Sequence, residues 1–291
     1  MAEVKVAACC KINLFLQVTG KREDNYHTLQ TLFLPVKGLA DTITCRFDAA
    51  AGIEVTSPQP YVPSGRDNLI WRTAESYAVK TGLLPTWSFT LDKRIPVAAG
   101  LGGGSSDAAC VLKALNDHYR LLDDRQLHEL AVSTGADVPF FLDPVPAWAG
   151  GIGDELEVVT GERPLLYLVL VNPGFPVGVR WSYGKLDSEK FAPADINAKQ
   201  KMTEALLTGD VEKISLLCRN DLGDALFVKF PQLVLLKKSM LSAGASCVQV
   251  SGSGPTLFAL CGSKEIQTAV AEQLRTQFRN SCGVKVFVCE A

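Results

Sequence analysis

The segment "PVAAGLGGGSS" at residues 96–106 constrains the fold more than any other stretch of the chain. It contains four glycines within five positions: Gly100, Gly102, Gly103 and Gly104. Glycine adopts backbone conformations that other residues avoid, so main-chain N–H groups can come close to an anion. A strand-like run precedes the segment and a helical pattern follows from near Asp107, and helix N-termini attract phosphate. We therefore predict a phosphate-binding loop, in which Ser105 and Ser106 offer hydroxyls to a phosphate oxygen or a magnesium ion.

Two common nucleotide-binding motifs do not fit this loop. No lysine follows the glycines as a P-loop requires, and Ser105 stands where the G-x-G-x-x-G pattern needs its third glycine. The segment indicates a different phosphate-binding family, and a flexible glycine linker without a ligand is the alternative.

Composition excludes several classes of protein. A length of 291 residues suits two packed domains, and a net charge of -2 gives no electrostatic footprint for nucleic acid or an anionic membrane. Nine cysteines at no zinc-like spacing indicate reduced thiols and a cytoplasmic protein. No apolar run reaches transmembrane length and the N-terminus lacks a signal-peptide core. We expect a monomer or weak homodimer with small-molecule ligands and no nucleic-acid or membrane partner.

Hydrophobic patterning predicts strands on both sides of a polar turn at residues 19–27. Residues 4–18 predict one or two strands, interrupted near Cys10 and Lys11. "TLQTLFLPV", "DTITCRF" and "GIEVTS" predict three further strands, and "SFTLDKRIPV" predicts one that runs into the glycine loop with Ile95 and Val97 on its inner face.

Helical spacing predicts a helix that begins at Asp67 or Asn68, and another that Gly135 ends, followed by a loop with Asp137 and an apolar strand. Turn residues at 160–165 suggest a domain boundary, which divides the chain into residues 1–162 and 163–291. Helices follow from about 194 to 243, and the tail has the order β-β-α-β, which predicts a ferredoxin-like domain.

Three groups in this pattern suit phosphoryl transfer, which needs a held nucleotide, positive charge and a residue to orient the attacking hydroxyl. Lys11 is a charge inside an apolar strand, and Asn13 shares its face. Asp137 is a carboxylate among apolar residues. The alternatives are a strand-edge lysine extending into water, and an aspartate that only forms a turn.

Tyr26 and His27 form the end of the polar turn, where they suit a planar ligand or simple surface exposure. Asp107 follows the glycine loop, and we interpret it as structural because its carboxylate would repel a phosphate.

The chain resembles the GHMP kinase superfamily in the segment around Lys11, in "PVAAGLGGGSS" and in "VSGSGPTLF". Within it, "KINLFLQVTGKREDNYHTLQTLF", "RDNLI", "GLGGGSSDAA" and "GADVPFFL" resemble the 4-diphosphocytidyl-2-C-methyl-D-erythritol kinase family. The resemblance implies an α+β, two-domain fold: an N-terminal α/β domain with a mostly antiparallel sheet, and a C-terminal ferredoxin-like domain. It also implies ATP as phosphoryl donor, magnesium, and a cytidine-diphosphate substrate phosphorylated on its 2-hydroxyl.

The resemblance also implies roles for individual residues. Lys11 and Asp137 become the catalytic pair, with Asp137 orienting or deprotonating the hydroxyl. The implied substrate-binding residues are Asn13, Tyr26, His27 and Tyr183, and the implied adenine-binding residues are Asn68, Leu69 and Lys93. The implied triphosphate-binding residues are Pro96, Val97, Ala98, Ala99, Gly100, Leu101, Gly102, Gly103, Gly104, Ser105 and Ser106. A second glycine turn consists of Gly252, Ser253 and Gly254.

The chain departs from the family in two places. Cys9 and Cys10 precede the lysine where the family usually has Pro-Ala or Ser-Ala, and Gly178 and Val179 stand where a Ser or Thr is expected. Two other functions stay open: a GHMP kinase for another small alcohol, such as homoserine or a mevalonate derivative, and a non-catalytic nucleotide sensor on the same scaffold.

Overall fold

The computed structural model describes residues 3–186 and 191–291. These residues form two compact units that interleave along the chain. The first consists of residues 3–10, 39–96 and 102–144, and the second of residues 11–38, 97–101 and 145–291. The predicted boundary near residue 162 falls inside the second unit, and the division there stays a prediction.

The first unit combines a sheet with a layer of helices. Strand β4 (Thr86–Asp92) pairs antiparallel with the second half of β2 (His27–Arg46) and parallel with β3 (Gly52–Thr56). Helices α1 (Leu69–Thr81), α2 (Gly103–Tyr119) and α3 (Asp124–Thr134) pack on one another, and a short 3₁₀ helix spans Pro139–Leu142. Large aromatic side chains, among them Trp87 and Phe89, fill the core.

The second unit contains the first half of β2, most of β1 (Glu3–Lys21) and a four-stranded antiparallel sheet. This sheet has the order β9-β10-β7-β11. Its strands are β7 (Tyr167–Asn172), β9 (Cys247–Val250), β10 (Leu257–Cys261) and β11 (Lys285–Glu290). Helices α8 (Pro231–Ser242) and α9 (Lys264–Gln277) cover a core of aliphatic residues from these strands. The predicted β-β-α-β tail is confirmed.

Shorter elements complete the second unit. Strands β5 (Ala147–Gly150) and β6 (Glu155–Val158) form a hairpin whose first strand pairs with β2, and β8 (Arg219–Asn220) pairs with β1. The remaining helices are α4 (Val179–Tyr183), α5 (Ile196–Thr208), α6 (Val211–Leu217) and α7 (Gly223–Lys229). None of the helices in the described part of the chain is long and apolar enough to cross a membrane.

Several predicted element boundaries are wrong. Strand β1 continues through Cys10 and Lys11 without interruption, and "DTITCRF" is the second half of β2 rather than a separate strand. Strand β4 ends at Asp92, so Ile95 and Val97 lie beyond it, with Ile95 buried and Val97 exposed.

Two further boundaries concern the loops that carry site residues. Helix α2 begins at Gly103, four positions before the predicted start at Asp107, because the glycines enter its first turn. The apolar run after Asp137 forms the 3₁₀ helix rather than a strand, with Pro139 at its first position.

Candidate functional site

The first half of the glycine loop packs against the second glycine turn, inside the second unit. Gly100 has φ +76°, and a Cβ there would lie 2.0 Å from the carbonyl oxygen of Ser251. The Ser251 hydroxyl donates to the Gly100 carbonyl at 2.8 Å, and the Thr256 N–H donates to the Ala99 carbonyl at 3.3 Å. Two turns that are 151 residues apart in sequence therefore form one structure, in which position 100 admits only glycine.

Lys11 and Asn13 lie beside these turns, on one face of β1. Lys11 Nζ donates to Asn13 Oδ1 at 2.6 Å and lies 4.6 Å from the centre of the Phe33 ring. Asn13 Nδ2 donates to Thr31 Oγ1 at 2.9 Å, and the Asn13 backbone N–H donates to Ser251 Oγ at 3.3 Å. Lys11 is only 4% exposed, so the strand-edge alternative is wrong. A buried ammonium needs such partners, and this one is held in place by them.

The second glycine turn is fixed from several sides. A Cβ at Gly252 would lie 2.9 Å from Asn13 Oδ1, and Gly252 has φ +51°. Asn220 Nδ2 donates to the carbonyls of Val250 and Gly252, both at 2.8 Å, and the Ser182 hydroxyl donates to the Ser253 carbonyl at 3.0 Å. Asn220 and Ser182 could not be identified from the sequence, because no local pattern indicates a hydrogen-bond partner so far along the chain.

The hairpin residues meet two aromatic rings within the second unit. The His27 ring lies 5.1 Å from the Tyr183 ring at 31°, and 5.8 Å from the Phe191 ring at 85°. Burial, together with the charge of Lys21, lowers the pKa of His27 below its ordinary value. The imidazole is therefore neutral at pH 7, with one donor and one acceptor nitrogen. Tyr26 precedes it at the surface, 59% exposed.

Lys93 lies between two carboxylates in the first unit. Its Nζ is 2.5 Å from Asp41 Oδ2 and 2.5 Å from Asp107 Oδ2, and all three residues are buried. Burial raises the pKa of Asp107 to about 7, with Lys93 opposing that rise and Asp41 adding to it. For Lys93, burial lowers the pKa, but the two carboxylates outweigh it and leave the pKa above its ordinary value.

The ion pair with Lys93 agrees with the structural role interpreted for Asp107 from the sequence. Asp107 lies beyond the first turn of α2, because the helix begins at Gly103. Asp41 was missed, because it stands at the first position of the predicted strand "DTITCRF", where a charged residue gives no signal. The adenine role of Lys93 stays a prediction, and the structure gives its ammonium two carboxylate partners.

Asn68 and Leu69 lie at the start of α1. Asn68 Oδ1 accepts from the Ile70 N–H at 2.9 Å, so Asn68 is the predicted N-cap, and its Nδ2 donates to the Pro63 carbonyl at 2.8 Å. Leu69 Cδ1 lies 3.5 Å from the position of a Cβ at Gly104. The start of α1 therefore adjoins the first turn of α2, where the second half of the glycine loop lies.

Asp137 lies half-buried in the loop that follows α3, in the first unit. The Val138 N–H donates to the Gly135 carbonyl at 3.0 Å and closes a turn around it. Lys11 belongs to the second unit, and the joint role of the two residues stays a prediction. The nine cysteines all lie among the described residues, and none of them forms a disulfide.

Comparison with known proteins identifies relatives along the whole chain. Residues 68–143 match the model of the GHMP kinases N terminal domain, and residues 202–280 match that of the GHMP kinases C terminal domain. The chain is 39% identical to a 4-diphosphocytidyl-2-C-methyl-D-erythritol kinase from Syntrophotalea carbinolica, over 93% of this chain and 94% of the relative.

Solved structures agree with this similarity. A crystal structure of 4-(cytidine 5'-diphospho)-2C-methyl-D-erythritol kinase matches with a TM-score of 0.79 and 33% identity, over 99% of this chain and all of the other. Homoserine kinase from Cytophaga hutchinsonii matches with a TM-score of 0.77 at 20% identity, over 99% and 94% of the two chains. The second match concerns the fold alone.

Proposed function

Since the chain belongs to the 4-diphosphocytidyl-2-C-methyl-D-erythritol kinase family of GHMP kinases, we propose that it phosphorylates this cytidine diphosphate compound. It transfers the γ-phosphoryl group of ATP to the 2-hydroxyl and releases ADP, as a step in the non-mevalonate route to isoprenoid precursors. The observation that carries this function is the 39% identity with a relative of that name over 93% of the chain.

The catalytic roles follow from the chemistry of phosphoryl transfer, which depends on positioning and electrostatic stabilisation. Asp137 orients the attacking hydroxyl and accepts its proton, while Lys11 offsets charge that develops on the transferred group. The buried ammonium of Lys11, braced by Asn13, supports a role that demands a fixed positive charge. The N–H groups of residues 96–106 hold the triphosphate, and the second glycine turn supports the first half of that loop.

Substrate recognition falls to the aromatic hairpin. Tyr26 and Tyr183 stack on the cytosine ring, and neutral His27 exchanges hydrogen bonds with its edge. The proximity of the His27 and Tyr183 rings supports this assignment. Asn13 contacts the polar centre of the substrate.

Magnesium fits a donor set made chiefly of nucleotide phosphates. Residues 3–186 and 191–291 contain no cluster of three or more His, Cys, Asp or Glu side chains suited to a metal. Magnesium usually keeps several waters and binds substrate phosphates with few protein ligands. The carboxylates of Asp41 and Asp107 are paired with Lys93. Ser106 is 1% exposed and its side chain hydrogen-bonds Cys9, contrary to the role predicted for its hydroxyl, so the half-buried Ser105 is the hydroxyl of the loop that could reach the ion. The ion supplies charge neutralisation on the phosphates when it is bound.

The two other functions receive less support. A kinase for homoserine or a mevalonate derivative would not need the Tyr26–His27 hairpin, and the likeness to homoserine kinase is limited to the fold. A nucleotide sensor would not need the catalytic groups, yet Lys11 and Asp137 are both present. We further propose that the protein acts in the cytoplasm, as a monomer or weak homodimer.

Turnover by the purified protein tests this function. With ATP and magnesium, we expect ADP release on addition of 4-diphosphocytidyl-2-C-methyl-D-erythritol, none above background with homoserine or mevalonate, and a 2-phosphate product by phosphorus NMR. Asp137→Ala should lower kcat by about 100-fold or more and leave the Kd for ATP unchanged by calorimetry. Turnover of homoserine alone would contradict the substrate assignment, and a kcat within a few-fold of wild type would contradict the role of Asp137.

A further inference from the structure

Asp41 accepts three hydrogen bonds from the segment that leads into the glycine loop. Its Oδ1 accepts from the Arg94 N–H at 2.5 Å and the Ile95 N–H at 2.8 Å, and its Oδ2 accepts from Lys93 Nζ at 2.5 Å. Strand β4 ends at Asp92, so the carboxylate satisfies backbone donors that have left the sheet. Asp41 is 0% exposed, so water offers no substitute for these bonds.

The side chains that Asp41 fixes lie directly against the first turn of α2. A Cβ at Gly103 would lie 2.8 Å from Ile95 Cγ2 and 3.0 Å from Lys93 Nζ. Lys93 also pairs with Asp107, one turn further along the same helix. Lys93 and Ile95 therefore fix the position of helix residues 103–107, and Asp41 in turn fixes the positions of Lys93 and Ile95. This chain of contacts lies entirely within the first unit.

Stability alone is a poor reason for this arrangement. Two buried carboxyl groups share one ammonium, and buried ion pairs seldom stabilise a protein more than apolar residues of similar volume. The geometry of the bonds suggests another reason: a carboxylate with two oxygens can fix a side chain and two backbone N–H groups at once.

We propose that Asp41 is a positioning residue for the phosphate loop, which sets ATP affinity by fixing the start of α2 through Lys93 and Ile95. The proposal rests on the assignment of residues 96–106 to the triphosphate. N–H donors bind an anion well only when they are held in the correct geometry before it arrives, so loss of this support weakens binding of ATP and not of the cytidine substrate.

Three variants separate positioning from general stability. Asp41→Ala removes all three acceptors, and we expect the KM for ATP to rise about tenfold or more, with kcat and the KM for the cytidine substrate within about threefold of wild type. Asp41→Asn keeps one side-chain oxygen for the backbone donors but presents an NH2 group to Lys93 Nζ, so it should recover only part of the ATP affinity. Tyr77→Phe is the control, because it removes a part-buried 3.3 Å hydrogen bond to Asn116 in the same unit and should leave the KM for ATP unchanged.

Several outcomes would overturn the proposal. They are an unchanged KM for ATP in folded Asp41→Ala, equal losses in the alanine and asparagine variants, or an equal loss in Tyr77→Phe at matched stability. Gly104→Ala distinguishes this failure from failure of the loop assignment, because its Cβ would meet only Leu69 Cδ1 at an ordinary 3.5 Å. If Gly104→Ala loses ATP binding and Asp41→Ala keeps it, the support by Asp41 is wrong and the loop stands, whereas retention of ATP binding by Gly104→Ala removes this turn of the loop from the ATP site.

Amide hydrogen exchange on the wild-type protein keeps the proposal testable if Asp41→Ala does not fold. We expect the amides of Arg94 and Ile95 to exchange slowly although they lie outside the strand, and more slowly still when ATP is bound. Fast exchange at these two amides, or rates that ATP leaves unchanged, would overturn it.

Discussion

Gly104 is the glycine of the loop whose substitution best separates ligand approach from folding. It lies in the first turn of α2, is exposed, and lacks the positive φ of Gly100 and Gly102. A Cβ there would meet Leu69 Cδ1 at 3.5 Å, an ordinary van der Waals contact. Gly104→Ala should therefore stabilise the protein by about 0.5 kcal/mol, because alanine loses less backbone entropy than glycine in a helix.

The same substitution should weaken ATP binding although it stabilises the protein. If the triphosphate lies on the N–H groups of this turn, a methyl group at position 104 blocks its approach, and we expect the KM for ATP to rise about tenfold or more. Stability is measured by urea denaturation and the KM for ATP by steady-state kinetics. Gly262→Ala is the control, since Gly262 is also exposed, has no positive φ and has only 3.9 Å neighbours around its Cβ position.

Two results would refute this reasoning. A KM for ATP within twofold of wild type would mean that no phosphate approaches position 104. A destabilisation of Gly104→Ala by more than about 1 kcal/mol relative to Gly262→Ala would mean that the glycine serves the fold itself.

Two other predictions concern the second unit. Gly100→Ala should destabilise the protein by about 3 kcal/mol or more, because it combines a positive φ with a Cβ only 2.0 Å from the Ser251 carbonyl oxygen. Gly82→Ala, with φ +73° and no atom within 4 Å, isolates the φ contribution, and equal losses of unfolding free energy in the two variants would refute the clash. For His27, the lowered pKa places protonation of the imidazole below its ordinary value of 6.5, so the KM for the cytidine substrate should rise at acidic pH with a midpoint below pH 6.5. His27→Gln should show no such rise, and a midpoint above pH 6.5 in the wild type would contradict the lowered pKa.

Elements that depend on short-range interactions could be predicted from short stretches of sequence. The cap at Asn68 and the order of elements after residue 247 depend on short-range spacing, and the structure confirms both. Strand β2 shows where such signals fail, since Gly38 looks like a strand end and has φ +97°. The strand continues because its successive segments pair with β5, β11 and β4. No local pattern predicts these partners.

The site residues show the same difference between what local sequence and what long-range contacts determine. Lys11 could be identified from its type and its apolar neighbours, and its burial agrees with that choice. Asp41 stands at the first position of its predicted strand, and its role depends on Lys93, which is 52 residues away and which the sequence places inside a strand. A sequence indicates which residue carries a charge, whereas the partner of that charge is a property of the fold.

The glycines of the loop are required by packing in both units, and the sequence alone does not separate the two requirements. Gly100 is required by the Ser251 carbonyl in the second unit, and Gly103 by Ile95 and Lys93 in the first. Neither position needs a ligand to explain its glycine, because a Cβ at either would collide with protein atoms. The density of glycine alone therefore overstates the evidence for phosphate. Gly104 is the position that indicates a ligand, because a Cβ there would collide with no protein atom.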